Sequence, residues 1–215
     1  MDWRCRASKD ERNEPLAGDE ILPETVGTMT HAITIETGPE HVWPWIAQMG
    51  ADRAGWYSHD WIDNGGRSSA SKVLPELQDV RPGDVMPALP GAEDAFIVTE
   101  VDRPDRLVLT VPGPEGTALV TWAFYLRRLE PDRTRLIVRG RASADWMADA
   151  KQQVPWQRGL AGIERVYAIL ARMPQKLLFL VARFGHGAMQ TKQLRGIKER
   201  AERPTAPGTA GPPAP

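Results

Sequence analysis

Three residues of the types that form a catalytic triad follow one another at Ser58, His59 and Asp60. A triad needs its base within about 3 Å of both partners in defined directions, and consecutive residues rarely converge in this way. The alternative is structural, because Asp and Asn side chains cap short helices and turns through hydrogen bonds to the backbone. We therefore predict that Asp60, Asp63 and Asn64 act as caps.

The same segment contains metal-ligand types in His59, Asp60 and Asp63. No second histidine follows at ligand spacing. The other histidines are scattered along the chain at His31, His41 and His186. Cys5 is the only cysteine, and one thiol forms neither an internal disulfide nor a Cys-based zinc site. The sequence predicts no metal and no cofactor.

General acid or base groups are the remaining chemical candidates. His186 stands between two glycines, and its unperturbed pKa lies near neutrality, so an inward-facing ring would serve as a polar anchor or as an acid–base group. A solvent-facing ring is the alternative. Tyr125, Asp60 and Glu164 are the other candidates. The sequence shows no convergent pair, so we assign no catalytic residue and leave enzymatic activity open.

Large aromatic side chains concentrate in residues 42–64, which contain half of the eight tryptophans. Clustered aromatics suit either a packed core corner or the wall of an apolar site. Trp56 and Tyr57 follow Gly55 in a loop-like stretch and are candidate ligand contacts. Trp43 and Trp61 fit a structural corner.

Alternating apolar and polar residues predict the strands that must position these groups. The predicted ranges are residues 29–37, 95–101, 106–111, 117–129 and 134–141. Short turns make the last four antiparallel neighbours. In the predicted strand 117–129, one face carries Val120, Trp122, Phe124 and Leu126. We predict that Trp122 and Phe124 line a cavity or core.

The last strand also carries Arg133, Arg135, Arg139 and Arg141 at alternating positions. With a formal net charge of −1 and no interleaved aromatics, these arginines predict a solvated sheet face. The near-zero charge gives no electrostatic basis for nucleic-acid binding.

Helices are predicted before and after this meander. Thr37 is the expected N-cap of a short helix, with Glu40 as its capping-box partner, Pro44 as a kink and Gly50 as a stop. Residues 160–173 and 175–201 are the later candidates. On the last helix, Phe184, His186 and Met189 would close the cavity. Three glycines weaken that helix by roughly 1 kcal/mol each, which predicts close approach to a sheet or ligand. They are Gly185, Gly187 and Gly196.

Composition predicts a single domain. Residues 21–202 form it, residues 1–20 are a flexible lead-in, and the Pro/Gly/Ala-rich residues 203–215 are a disordered tail. Charges stand where a signal peptide needs an apolar region, and with a single thiol this indicates a cytoplasmic protein. The longest apolar run, residues 177–184, is too short to span a bilayer.

Five segments resemble the SRPBCC superfamily, also called the START/Bet v 1-like or helix-grip fold, in the bacterial branch near polyketide cyclase/dehydrase and lipid-transport proteins. They are GDEILPE (18–24), VWPWIAQMG (42–50), GWYSHDWIDN (55–64), LPELQDVRPGDV (74–85) and LRGIKERAE (194–202). The second and third are fairly specific to that branch. The resemblance implies an α+β fold in which a curved antiparallel sheet wraps around a long C-terminal helix. It also implies an apolar cavity between them.

Members of this superfamily hold lipids, sterols, polyketides or plant hormones in that cavity, and some catalyse cyclisation or dehydration there. The resemblance thus implies a small hydrophobic ligand for a carrier, sensor or sequestering protein. A cyclase or dehydratase acting on a polyketide-like substrate is the alternative, since fold does not fix function. Residues 156–184 look longer and more apolar than in that branch. They would form an extra lid, ordinary packing, or a membrane- or partner-binding surface. The sequence indicates no oligomeric state.

Overall fold

The computed structural model describes residues 5–91, 95–113, 116–146 and 175–203, with the side chains of 175–183 left out. Within these ranges, the α-helices that are described from end to end are α1 (Lys9–Asn13), α2 (Pro39–Ala47), α3 (Asp60–Asp63) and α4 (Gln175–Ala201). Six strands are β1 (Gly27–Ile35), β2 (Val85–Pro87), β3 (Ala95–Asp102), β4 (Arg106–Pro112), β5 (Ala118–Glu130) and β6 (Arg133–Ala142). The helix predicted at 160–173, Glu164 and nearly all of the predicted tail lie outside the described residues.

The six strands form one antiparallel sheet in the order β1-β6-β5-β4-β3-β2. The five strands predicted from alternation are confirmed, and the short β2 adds an edge that the sequence did not predict. Register shifts interrupt three of the strand pairs, and such irregularities bend a sheet. These bends let the sheet curve so that one of its faces wraps around a helix.

Helix α4 is that helix, and it spans the predicted range. Its Leu194 and Ile197 are fully buried in the main core together with residues of β1, α2, β4, β5 and β6. The α+β helix-grip architecture expected from the resemblance is confirmed. None of the described helices is long and apolar enough to cross a membrane.

Close approach explains one of the three glycines of α4. A Cβ on Gly196 would lie 2.3 Å from the carbonyl oxygen of Tyr57, so only glycine lets the helix meet this loop. A Cβ on Gly187 would make an ordinary contact with His31, and one on Gly185 would meet nothing. The predicted packing reason therefore holds for Gly196 alone.

Helix α2 begins differently from the prediction. Its N-cap is Gly38, without a side-chain cap, and its C-cap is Gln48. The Glu40 carboxylate accepts a hydrogen bond from Arg128 on β5 instead of closing a capping box. The Thr37 carbonyl accepts one from Thr134 Oγ1 on β6. Contacts with the sheet thus replace the local cap. Pro44 lies inside the helix, as predicted.

Residues 7–21 pack on the outer face of the sheet and Cys5 joins the main core, whereas the sequence predicted a flexible lead-in over residues 1–20. Ser8 and Glu11 form a capping box at the start of α1. Ala7 joins a small buried cluster with residues of β1, β4, β5 and β6. Ion pairs with arginines of β6 hold the segment in place.

The arginines of β6 accordingly do not form the solvated face predicted for them. Arg135 makes a bidentate contact with Glu11, at 2.7 and 3.0 Å. Arg139 is 3% exposed and pairs with Asp19 at 2.6 Å, and Arg141 also pairs with Asp19. Arg133, the first residue of the strand, is half-buried and is the most exposed of the four side chains. Acidic residues that looked like a polar tail are the counter-charges of this face.

Candidate functional site

A cavity of about 330 Å³ lies between the inner face of the sheet, the loops around α3 and helix α4. Its described wall is almost wholly apolar. Strand β5 contributes Val120 and Trp122, β3 contributes Phe96, and the loop between α2 and α3 contributes Trp56. Other described lining residues include Met29, Leu89, Gly140, Trp146, His186, Met189, Gln190 and Gln193.

Trp122 is the centre of the aromatic wall. Its ring centroid lies 5.2 Å from that of Trp56, 5.1 Å from that of Phe96 and 5.0 Å from that of Phe124. These spacings are typical of stabilising aromatic pairs. The indole Nε1–H of Trp122 donates to Gln190 Oε1 at 2.9 Å. The ring is thus held on both its apolar and its polar side.

A buried chain of amides supports this ring from helix α4. Gln190 Nε2 donates to Gln193 Oε1 at 2.7 Å, and Gln193 Nε2 approaches Met49 Sδ at 3.6 Å. Both glutamines are almost fully buried. Because their bonds are made within the protein, the aromatic wall is formed before any ligand arrives.

Four of the seven residues predicted to contact a ligand line the cavity. They are Trp56, Trp122, His186 and Met189. Phe124 lies one step deeper along the same face of β5, is fully buried and packs against Trp122 as core. The inner face of β5 therefore passes from cavity wall to core within two residues.

Tyr57 and Phe184 lie away from the cavity. Tyr57 is buried, with its hydroxyl accepting from Gln48 Nε2 at 2.8 Å. Its ring stacks beneath Arg200. Phe184 is 73% exposed. It stands two residues before His186, which is about 200° around a helix, so the two side chains face opposite ways.

Except for Ser58, the other aromatic and triad-type candidates lie outside the cavity. Trp43 belongs to the core as predicted, whereas Trp61 is 76% exposed, so the structural corner predicted for it is wrong. Asn64 Nδ2 donates to the Arg67 carbonyl across a turn, as predicted. Asp60 instead accepts from the backbone N–H and the hydroxyl of Ser69, nine residues later, and α3 has no side-chain cap. The Ser58 hydroxyl donates to the Met189 carbonyl at 3.2 Å and has no triad geometry.

Asp63 departs from the predicted capping role. It is 3% exposed and lines the cavity. Neither carboxyl oxygen has a hydrogen-bond partner within the described part of the chain. Burial, reinforced by the nearby Asp60 carboxylate, raises the pKa of Asp63 to about 6. Burial outweighs the polar groups of Ser58 and His59 near the carboxyl, none of which makes a hydrogen bond to it of good geometry. Sequence reasoning missed this residue because Asp60, Asp63 and Asn64 look alike locally and only tertiary contacts separate them.

His186 faces the cavity from α4. Its ring centroid lies 6.3 Å from that of Trp122 and 6.4 Å from that of His31 on β1. Burial, with a smaller contribution from His31, lowers the pKa of His186 to about 4. The imidazole is therefore neutral at physiological pH and offers one donor and one acceptor.

The other candidates for chemistry are placed elsewhere. Tyr125 lies on the outer face of β5 and donates its hydroxyl to the Ala17 carbonyl at 2.7 Å. Glu164 lies outside the described residues. Within those residues, no group of three or more His, Cys, Asp and Glu side chains is arranged to hold a metal ion. Asp63 and His186 are thus the titratable groups whose pKa values the cavity shifts most.

No protein-family model and no curated protein matches this chain. Solved structures share its overall form at low similarity. A protein from Mesorhizobium loti is 14% identical over 84% of this chain and 100% of its own, with a TM-score of 0.42. A Polyketide_cyc-like protein from Corynebacterium glutamicum is 15% identical over 82% and 91%, also at 0.42. An HSP90 activator from Plasmodium falciparum is 15% identical over 54% and 73%, at 0.36. The fold itself rests on the strand order and helix packing above, and these likenesses carry no functional argument.

Proposed function

We propose that this protein binds a small, mostly apolar molecule in the cavity between the sheet and α4, as a carrier, sensor or sequestering protein. The observation that carries the proposal is the cavity, with about 330 Å³ bordered by aromatic and aliphatic side chains and few polar groups. Ligand sites in globular proteins are concave and mostly apolar, with a small number of placed polar groups.

The rigidity of the wall supports binding over a chance void. Trp122 is fixed by three aromatic neighbours and by Gln190, so little side-chain freedom is lost when a ligand enters. Met189 adds a flexible, polarisable contact that adapts to irregular ligands. An apolar molecule would gain dispersion contacts that the empty wall lacks.

Filling the cavity tests the proposal directly. Gly140 on β6 lines the cavity, and among the described residues a Cβ there would have only His186 within 4 Å, at 3.8 Å. A leucine at this position would therefore project into the cavity without backbone strain. We expect Gly140→Leu to weaken binding of prodan, an uncharged naphthalene dye without hydrogen-bond donors, by at least about tenfold in a fluorescence titration.

The matched control is the same substitution at Gly185, which is exposed on α4 and where a Cβ would meet nothing within 4 Å. Gly185→Leu should bind prodan as the wild type does. If prodan binds equally well to the Gly140→Leu protein, or fails to bind the folded wild type, the cavity is not a ligand site. If the Gly140→Leu protein does not fold, Gly140→Val replaces it. Valine fills less of the cavity, so we expect a smaller loss of prodan affinity.

Acid–base catalysis in the same cavity is the second candidate, favoured by the pKa of Asp63 near neutrality. Small molecules extracted from wild-type and Asp63→Asn protein, both purified from their own host, distinguish the two. The same molecule in both samples, at reduced occupancy in the variant, supports carriage. A precursor in the variant in place of the wild-type molecule supports catalysis.

A further inference from the structure

The cavity contains one charged group that the described part of the protein leaves uncompensated. Asp63 is only 3% exposed and lines the apolar cavity. Neither of its carboxyl oxygens has a hydrogen-bond partner among the described residues. The neighbouring Ser58 hydroxyl is directed at the Met189 carbonyl. An unpartnered buried carboxylate is costly, so a group that pairs with it on binding gains more than it would in water.

No positive side chain in the described wall serves as its counter-ion. Arg141 contributes to the lining, but its guanidinium bonds to Asp19 and to the carbonyls of Leu22 and Pro23. The His186 ring is neutral because its pKa is lowered to about 4. The uncompensated charge of the wall is therefore negative.

The aromatic wall adds a second preference of the same sign. Trp56, Phe96 and Trp122 cluster with their ring centroids 5.1–5.6 Å apart and border the cavity. Aromatic faces attract cations, with tryptophan the strongest, and more so where water is excluded. A molecule that occupies the cavity would therefore meet both a carboxylate and aromatic rings.

We propose that the ligand is a small apolar amine, whose protonated nitrogen donates to the carboxylate of Asp63 while its apolar part occupies the aromatic wall. This inference rests on the proposed binding function and adds the chemical class of the ligand. It also states what the cavity rejects. Molecules that carry a carboxylate, such as free fatty acids, would bring a second negative charge against Asp63 and bind worst.

Three naphthalene derivatives of similar size test the selection. Naphthylmethylamine carries a cation, ethylnaphthalene is uncharged, and naphthylacetate carries an anion. Affinities are measured by isothermal titration calorimetry at pH 8, where Asp63 is ionised. We expect the amine to bind at least about tenfold more tightly than ethylnaphthalene, and the carboxylate to bind more weakly than either.

Asp63→Asn removes the charge and keeps the shape. In this variant we expect the amine to lose its advantage while ethylnaphthalene binds within about twofold of its wild-type affinity. Asp63→Leu, which removes the polar group altogether, gives the same result if the asparagine variant does not fold. The control, Asp132→Asn in the exposed turn between β5 and β6, should leave the preference unchanged.

The outcomes separate this inference from the proposed function. If ethylnaphthalene binds but the three compounds bind alike, or if the preference for the amine survives Asp63→Asn, the amine assignment is overturned and the apolar site stands. If none of the three binds the folded wild type, both proposals are overturned.

Discussion

The two faces of the sheet treat a buried charge in opposite ways. Arg139 on the outer face and Asp63 in the inner cavity are both 3% exposed. Arg139 donates to Asp19, to the carbonyls of Glu11 and Glu14 and, at longer range, to Thr30. Asp63 has no partner among the described residues. A buried charge is tolerated when it is fully hydrogen-bonded and is costly otherwise, so only the outer face is arranged for stability.

The difference teaches where function is to be sought. The outer face has a counter-charge for each of its buried arginines, supplied by residues 11–19. The inner face keeps empty volume, exposed ring surface and an unpaired carboxylate in one place. Each of these features costs stability, and proteins retain such costs mainly at functional sites. Mutations on the two faces should therefore separate stability from binding.

The largest effect is expected from Arg139→Met. The substitution removes the Arg139 hydrogen bonds to the carbonyls of Glu11 and Glu14 and to Asp19. The Asp19 carboxylate then keeps only Arg141 and the Leu16 N–H among the described residues. We expect the free energy of unfolding to fall by about 3 kcal/mol or more, as measured by urea denaturation. Binding of prodan by the folded fraction should stay unchanged, because Arg139 does not border the cavity.

Arg133→Met is the matched control on the same strand. Arg133 is 39% exposed and pairs with Glu36 and Glu130 at the surface, so its removal should cost less than about 1 kcal/mol. Equal losses for the two substitutions would show that the outer ion pairs act through general charge and not through burial. The contrast between the two faces would then lose its basis.

A smaller effect of opposite sign is expected at Asp63. Its folded-state pKa of about 6 lies above the ordinary value of 3.8, so folding favours the protonated form. The cost of the buried charge is fully present above about pH 6 and disappears as the pH falls toward 3.8. Relative to wild type, Asp63→Asn should gain roughly 1–2 kcal/mol of stability between pH 4 and pH 8.

Comparing this gain with that of Asp132→Asn isolates the cavity, because Asp132 is exposed and shares the overall change in charge. A pH-independent difference between Asp63→Asn and wild type would mean that the Asp63 carboxylate is compensated in solution. That result would also remove the reason for a cationic ligand.

Local patterns in the sequence predict the frame of this fold well. Strands β1 and β3–β6 follow from period-two alternation, and α4 from its long apolar spacing and absence of proline. The packing of residues 5–20 could not be read in this way. The role of Glu11 depends on its ion pair with Arg135, 124 residues later in the chain. Helix α1 has only five residues and no buried face, so its own pattern does not indicate that it packs on the sheet.

The sequence predicts a site residue where its position along a strand or helix determines which face of that element it occupies. Trp122 follows from the inner face of β5. His186 and Met189 share one face of α4, and continuing their spacing reaches Gln190 and Gln193, which the sequence analysis did not use. The same spacing places Phe184 on the opposite side. Asp63 carries no such signal, since its burial depends on how α3 meets the helix and the sheet.

The smallest effect is expected at His186, where the sign is reversed from that of Asp63. Its folded-state pKa of about 4 lies below the ordinary 6.5, because burial and His31 disfavour the charged ring. The stability that the neutral His186 ring contributes is fully present above about pH 6.5 and is lost as the pH falls toward 4. His186→Gln should therefore gain about 1 kcal/mol relative to wild type between pH 8 and pH 5, measured by urea denaturation.

His41→Gln, at an exposed position on α2, is the control for losing an imidazole. Because Asp63 and His186 titrate over overlapping ranges with opposite signs, their effects offset each other in the wild type. Relative to wild type, stability should therefore rise more steeply with pH in Asp63→Asn and less steeply in His186→Gln. The double variant Asp63→Asn/His186→Gln should return to a dependence close to that of wild type. If the pH dependence of the double variant instead differs clearly from that of wild type, the two titrations do not offset each other, and the opposite pKa shifts assigned to burial of Asp63 and His186 at this cavity are wrong.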